Sequence, residues 1–375
     1  MSSVNPSPVR GRLNASIVLI GILVLVAVVG ILVLGNRGPG ATPTPTSSPG
    51  SSASPPGASP SGASASATGS AAGATTQLTV GLGYIPSVQF APFYLADQAG
   101  YYSDAGLEVK FENKIDPDLI TLVGQGSIDI GLADGTSVIP AVSQGIPVRY
   151  LATVYRAFPS IVFAKTSSGI TKAADLKDRK IGIPGRYGSS WIMLQALLKS
   201  ANLTPDDVEI VEFPDFTQAV AVQQGSVDAA TGFVNNEPIQ LKQNGVDVRV
   251  LTVDQFVPLP GPGLIAGTKT IESKRDAIVA FIAATLQAMH DIEADPSQGL
   301  QAATDAEPTL AEKPEAQRAV LDATIAAWKG AGDSSSFGTI DRAAWSKSIE
   351  FMNGLGLVKE PVTVDGLVDD SLLGG

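Results

Sequence analysis

Two short runs, Gln125-Gly-Ser-Ile-Asp129 and Gln224-Gly-Ser-Val-Asp228, constrain this chain more than any other feature, because their neighbourhoods match in the same order. Downstream, Gln144-Gly-Ile-Pro-Val-Arg-Tyr-Leu151 is echoed by Asn244-Gly-Val-Asp-Val-Arg-Val-Leu251, and Ser160-Ile-Val-Phe-Ala-Lys-Thr166 by Gly263-Leu-Ile-Ala-Gly-Thr268. Upstream, Gly81-Leu-Gly-Tyr-Ile-Pro-Ser-Val-Gln-Phe-Ala-Pro-Phe-Tyr94 and Lys180-Ile-Gly-Ile-Pro-Gly-Arg-Tyr-Gly-Ser-Ser-Trp191 both read as a strand, a glycine loop and a helix start. Four matching elements in one order point to a duplicated supersecondary unit.

Within each copy, apolar strands alternate with helical segments, which predicts a parallel sheet covered on both faces. The expectation is therefore an α/β chain of two Rossmann-like lobes, with lobe one at 77–172 plus 258–375 and lobe two at 173–257. The segments around 158–168 and 257–268 read as two crossings, and two crossings make a hinge. Amphipathic helices over 271–293, 314–329 and 341–353 are expected to cover lobe one.

The residues before the repeat have a different character. Ala15 to Gly35 carries no charge and is long enough to span a hydrocarbon core, with Arg10 and Arg12 before it. We expect residues 1–14 in the cytoplasm, a single-pass anchor at 15–35 and a disordered Pro/Ser/Gly/Ala linker at 36–76. The binding domain is then extracytoplasmic on the cell membrane; secretion after signal cleavage is the alternative, although Asn36-Arg37-Gly38-Pro39 offers no small-x-small cleavage site. The chain has no cysteine, which excludes disulfides and a lipid-bearing cysteine tether. Three basic and no acidic residues precede the repeat, leaving 22 basic against 36 acidic residues beyond, a net charge of −14 that argues against a nucleic-acid partner.

The inventory of reactive groups is short. His290 is the one histidine and lies in a predicted helix, so no catalytic residue, metal ligand set or cofactor is expected. No Walker lysine motif is present, and Gly81-x-Gly83 lacks the third glycine of a dinucleotide loop. What recurs just past predicted strands is aromatic rings beside helix starts, a place where ligands of open α/β sheets settle. The expected ligand-binding residues are Tyr84, Phe90, Asp134 and Tyr155 from lobe one, and Tyr187, Ser189, Trp191, Phe233, Asn235, Asn236 and Glu237 from lobe two. Asp134 serves equally as a plain N-cap, Trp191 as core, and Glu237 as a cap ahead of Pro238. Rings on both sides of a cleft suit a flat aromatic ligand.

The runs Gly83-Tyr-Ile-Pro-Ser-Val-Gln-Phe-Ala-Pro-Phe-Tyr94, Ala99-Gly-Tyr-Tyr-Ser-Asp-Ala-Gly-Leu-Glu-Val109, Gly126-Ser-Ile-Asp-Ile-Gly131 and Asn235-Asn-Glu-Pro238 resemble the solute-binding proteins of ABC importers. The branch is the one similar to the thiamine-pyrimidine synthase and the sulfonate- and nitrate-binding proteins. The resemblance implies a type II periplasmic-binding-protein fold, a monomer, and delivery of one small molecule to an ABC permease and its ATPase. It implies riboflavin or a thiamine pyrimidine as ligand, with a sulfonate, taurine or nitrate anion as the alternative. The enzyme branch carries a cysteine-rich iron motif and an active-site histidine, and the missing cysteines set this chain apart from it, so a non-enzyme is expected.

Overall fold

The computed structural model describes residues 75–113, 118–254 and 256–374. The expected cytoplasmic segment, membrane span and linker lie outside the described residues, apart from Thr75 and Thr76, and Thr76 already opens the first strand.

The first half of the repeat runs β1 (Thr76–Gly81), α1 (Ala91–Gln98), α2 (Tyr101–Asp104), β2 (Leu107–Glu112), α3 (Leu119–Gln125), β3 (Ile130–Asp134), α4 (Gly135–Ser143), β4 (Val148–Thr153) and β5 (Ser160–Lys165). The second half runs β6 (Lys180–Ile183), α5 (Gly188–Ser200), β7 (Glu209–Glu212), α6 (Gln218–Gln224), β8 (Ala229–Phe233), α7 (Glu237–Gln243), β9 (Val248–Leu251) and β10 (Pro262–Gly267). Then follow α8 (Thr268–Ala294), α9 (Pro296–Ala306), α10 (Pro314–Lys329) and α11 (Arg342–Asn353).

Two five-stranded sheets result, ordered β2-β1-β3-β10-β4 and β7-β6-β8-β5-β9, so the duplication is visible strand for strand. The last strand of each half leaves its own sheet and enters the other antiparallel: β5 pairs with β8 and β9, and β10 with β3 and β4. This moves a boundary. Residues 160–165, expected in lobe one, belong to the second sheet, and the first crossing falls between β4 and Ser160.

The repeated Q-G-S-x-D run has a structural cause. Gly126 and Gly225 sit at φ +77° and +76°, just past α3 and α6, a left-handed geometry that glycine adopts freely. The following Ser127 and Ser226 donate their backbone N–H groups to Leu122 and Ala221, closing both helices in the same way. Two residues on, Asp129 and Asp228 each accept a backbone N–H through Oδ2, from Thr79 and Lys180, both at 2.9 Å. Their own N–H groups return the bond to the same two residues. The motif stops a helix and latches the next strand to the start of its sheet.

The core follows the expected apolar faces. Tyr102 stacks on Phe281 with ring centroids 4.9 Å apart, and Phe93, Phe281, Met289 and Trp328 are fully enclosed where α1, α2, α8 and α10 cover the first sheet. Among the described residues α8 is the one helix long and apolar enough to cross a membrane, but Ile278, Phe281, Ile282 and Ile292 are buried in the core of lobe one. It bends at Lys274, whose Nζ reaches Asp129 Oδ1 at 2.8 Å. Helix α11 departs from the expectation of packing on lobe one alone: Lys199 of α5 lies over the Phe351 ring at 5.3 Å and donates to the Gly354 carbonyl at 3.3 Å.

Candidate functional site

The C-terminal ends of β1, β3, β6 and β8 face one another, together with the starting ends of β5 and β10, and the loops leaving them meet at three places.

The first is aromatic. Tyr84, in the glycine loop after β1, packs edge to face against Phe216 of the second lobe, with centroids 5.9 Å apart and planes at 73°. Phe216 holds φ at +58°, a costly conformation for a bulky residue, which aims its ring at Tyr84. The Tyr84 hydroxyl is held above its usual pKa by burial and by the nearby Glu237 charge, and the Asn236 side chain bonds to it in the opposing sense.

The second place joins Asp134, at the end of β3, to Ser189, in the first turn of α5. Burial pushes the Asp134 carboxyl up to about 6, against the opposing hydrogen bond from Ser189. Asp134 Oδ1 is enclosed and has no hydrogen-bond partner. The aspartate stands at the N-cap position of α4 without capping it, so the N-cap reading of its side chain fails.

At the third place, Asn235 donates through Nδ2 to Thr324 Oγ1 of α10 at 2.8 Å. Tyr155, buried at the start of the first crossing, places its hydroxyl beside Thr324, Trp328 and Asn235, and burial raises its pKa well above the usual phenol range. Glu237 is the second enclosed carboxyl. Burial pushes it up to about 7 even though Oε2 accepts the Phe233 N–H at 2.7 Å. A glycine at 232 is required there, since a Cβ would fall 2.6 Å from Glu237 Oε2.

The remaining expected residues are placed as follows. Phe90 is corrected: it is 3% exposed within the core of lobe one, because it ends a short 3-10 turn that folds under α1. Tyr187 is 49% exposed at the N-cap position of α5. Trp191 is partly buried, with the Arg186 guanidinium 5.2 Å above its ring, and Arg186 is also paired with Glu212 at 3.4 Å. Phe233 is partly buried and ends β8, and the Asn236 amide oxygen accepts from Gln240.

Several polar groups around this junction were absent from the expected set. Ser160 Oγ, Thr136 Oγ1, Thr231 Oγ1, Gln218 Oε1 and Trp328 Nε1 are buried without a partner, as is Asn235 Oδ1. Buried polar atoms are nearly always satisfied in a folded protein, so this concentration makes the junction the candidate ligand site. Thr136 follows Asp134 at the end of β3, and Phe216 lies just past β7, so both stand where strands give way to helices and the sequence pattern can point to them. Thr231 and Ser160 lie in strands where a hydroxyl residue reads as an ordinary β-former, and Trp328 and Thr324 come from a helix outside the repeat.

A family model described as NMT1/THI5 like matches residues 87–299. The chain is 33% identical over 299 residues to the riboflavin-binding protein RibY of Chloroflexus aurantiacus, a match covering 77% of this chain and 83% of that protein. It is 26% identical to a 4-amino-5-hydroxymethyl-2-methylpyrimidine phosphate synthase of Aspergillus parasiticus, over 63% of this chain and 72% of the synthase. Among solved structures, the alkanesulfonate-binding protein SsuA of Xanthomonas axonopodis, bound to MOPS, superposes with a TM-score of 0.62 at 18% identity, over 78% of this chain and 98% of its own. A Candida albicans protein described as having the generic periplasmic binding protein fold superposes at 0.56 with 18% identity, over 78% and 96%. The two-sheet architecture is that fold.

Proposed function

Because the chain belongs to the NMT1/THI5-like family, we propose that it is an extracytoplasmic solute-binding protein of an ABC importer that captures a flat heteroaromatic vitamin or vitamin precursor, riboflavin or a thiamine pyrimidine, between its lobes. The observation that carries this reading is the Tyr84–Phe216 pair, two rings from opposite lobes meeting where buried polar groups lack partners. A flat ligand entering between such rings exchanges one aromatic contact for two, and its edges meet Asn235, Gln218 and Thr231. Binding to both lobes draws them together, and the closed form docks on the permease.

The reading is of capture without turnover. His290, exposed on α8, meets the Phe337 ring with centroids 5.0 Å apart and is not among the groups that gather at the cleft loops. The apolar run at 15–35 tethers the domain to the membrane. Cell fractionation checks the tether, which fails if the protein is recovered from the medium with a new N-terminus near Gly40.

A thermal-denaturation panel tests the ligand. Riboflavin or an aminopyrimidine should raise the transition, by the equivalent of about 2.7 kcal/mol at a hundredfold excess over Kd. Stabilisation by taurine or alkyl sulfonates alone overturns the heteroaromatic reading.

A further inference from the structure

We propose that this cleft rejects anions: Asp134 and Glu237 set the charge of the ligand, admitting the uncharged form of a heteroaromatic compound and excluding its phosphorylated or sulfonated form. The proposal rests on the heteroaromatic reading of the cleft and sharpens it to a charge class.

The two carboxyls reach the cleft from different lobes. Asp134 closes β3 against Ser189, and Glu237 opens α7 beneath the Phe233 N–H and within electrostatic reach of Tyr84. Among the described residues neither carboxyl forms an ion pair with a basic side chain; Glu237 Oε2 is held by the Phe233 N–H and Asp134 Oδ1 has no partner. Arg186, in the glycine loop of lobe two, is already committed to Glu212 and to the Trp191 face. At the hinge, Arg156 donates to the Ser336 carbonyl and to Thr339 Oγ1.

The other unpartnered groups at the junction carry no formal charge. Asn235 Oδ1 and Gln218 Oε1 are acceptors, Thr136, Thr231 and Ser160 carry hydroxyls that donate or accept, and Trp328 Nε1 is the single obligate donor among these atoms. Such a set pairs with ring N–H and amino groups, and at a pH above about 7, where both carboxyls are ionised, a phosphate or sulfonate faces their negative charge. In an enclosed site like charges repel far more than in water, so the discrimination comes from repulsion built into the cleft.

The full-length chain should be titrated with riboflavin and riboflavin 5′-phosphate, and with a hydroxymethyl aminopyrimidine and its phosphate. The neutral member of a binding pair should bind at least about tenfold more tightly. Asp134→Asn and Glu237→Gln, made separately so that one remains if the other does not fold, should narrow that gap by admitting the phosphate. Equal affinity within a pair, tighter binding of the phosphate, or a gap unchanged in both variants overturns the proposal. If neither riboflavin nor the pyrimidine binds, the heteroaromatic reading falls by itself. The charge proposal is then decided by nitrate, taurine and an alkyl sulfonate: binding of any of them by the unsubstituted chain overturns it, and binding of none upholds it.

Discussion

Thr79 and Lys180 occupy corresponding places in the two sheets, each donating its backbone N–H to the aspartate of a Q-G-S-x-D turn, yet a few residues further on the two chains part company. By that latch Tyr84 corresponds to Gly185. The first loop sends a ring across to Phe216, whereas the second carries its ring two places later, on Tyr187, which stands 49% exposed. The strand ends diverge in the same way: Asp134 closes β3 where Phe233 closes β8, and Thr136 corresponds to the buried Asn235. Residues that stop a helix and pin a strand must keep their geometry in both copies. On the proposed reading, residues facing the cleft answer to one asymmetric ligand and so need not match between the copies.

The latch itself tests how far the equivalence goes. Asp129 is the more enclosed of the two, its side chain 15% exposed, and it also holds Lys274 at 2.8 Å, tying α8 to the first sheet. Asp228 is 39% exposed and sits 3.8 Å from Arg179. Asp129→Ala should therefore cost about 2–3 kcal/mol of unfolding free energy and Asp228→Ala about 1 kcal/mol, read from denaturant midpoints at unchanged slope. Equal losses would mean that the two latches are interchangeable and that the Lys274 contact contributes nothing.

The enclosed carboxyls give a second test, because each lobe supplies one at a different register. A carboxyl whose folded pKa lies above its unfolded value holds a proton in the native state that the unfolded chain has already released. Its contribution to stability is then greatest below the unfolded value and falls as pH rises to about 6 for Asp134 and about 7 for Glu237. Between pH 4 and pH 8 the ligand-free protein should lose on the order of 2 kcal/mol for each carboxyl. Asp134→Asn should remove the lower part of that slope and Glu237→Gln the upper part. A stability curve that rises with pH across this interval would contradict the burial assigned to both groups.

The sequence made the fold legible because its evidence is periodic: alternating apolar strands, glycine stops and an ordered repeat each imply one architecture. It misplaced the boundary at β5, since an apolar strand looks the same in whichever sheet it pairs. The site was legible in part. Asn235, Glu237, Asp134 and Tyr84 follow strand ends, and a side chain in that position has a direction fixed by the local chain. Phe90 shares that neighbourhood but sits at the end of a 3-10 turn, and one turn of rotation carried its ring into the core. Trp328 and Thr324 reach the cleft from α10, far along the chain, where only tertiary packing brings them to Tyr155 and Asn235.

The rings give the smallest difference and the most direct one. If the ligand lies between Tyr84 and Phe216, Tyr84→Ala removes an aromatic contact worth about 0.5–1.5 kcal/mol beyond area burial, together with the area itself, and affinity should fall at least about tenfold. Tyr187, the corresponding loop's ring, is half exposed, so Tyr187→Ala should change affinity by less than about threefold. Both are read by calorimetry with whichever ligand the thermal panel selects. Equal losses would show that Tyr187 swings inward when ligand is bound and that the two loops act as matched jaws after all. Tyr84→Phe separates ring from hydroxyl: it keeps the edge-to-face packing on Phe216 and removes the bond to Asn236, so a loss nearly as large as in the alanine variant would assign recognition to the hydroxyl and not to stacking.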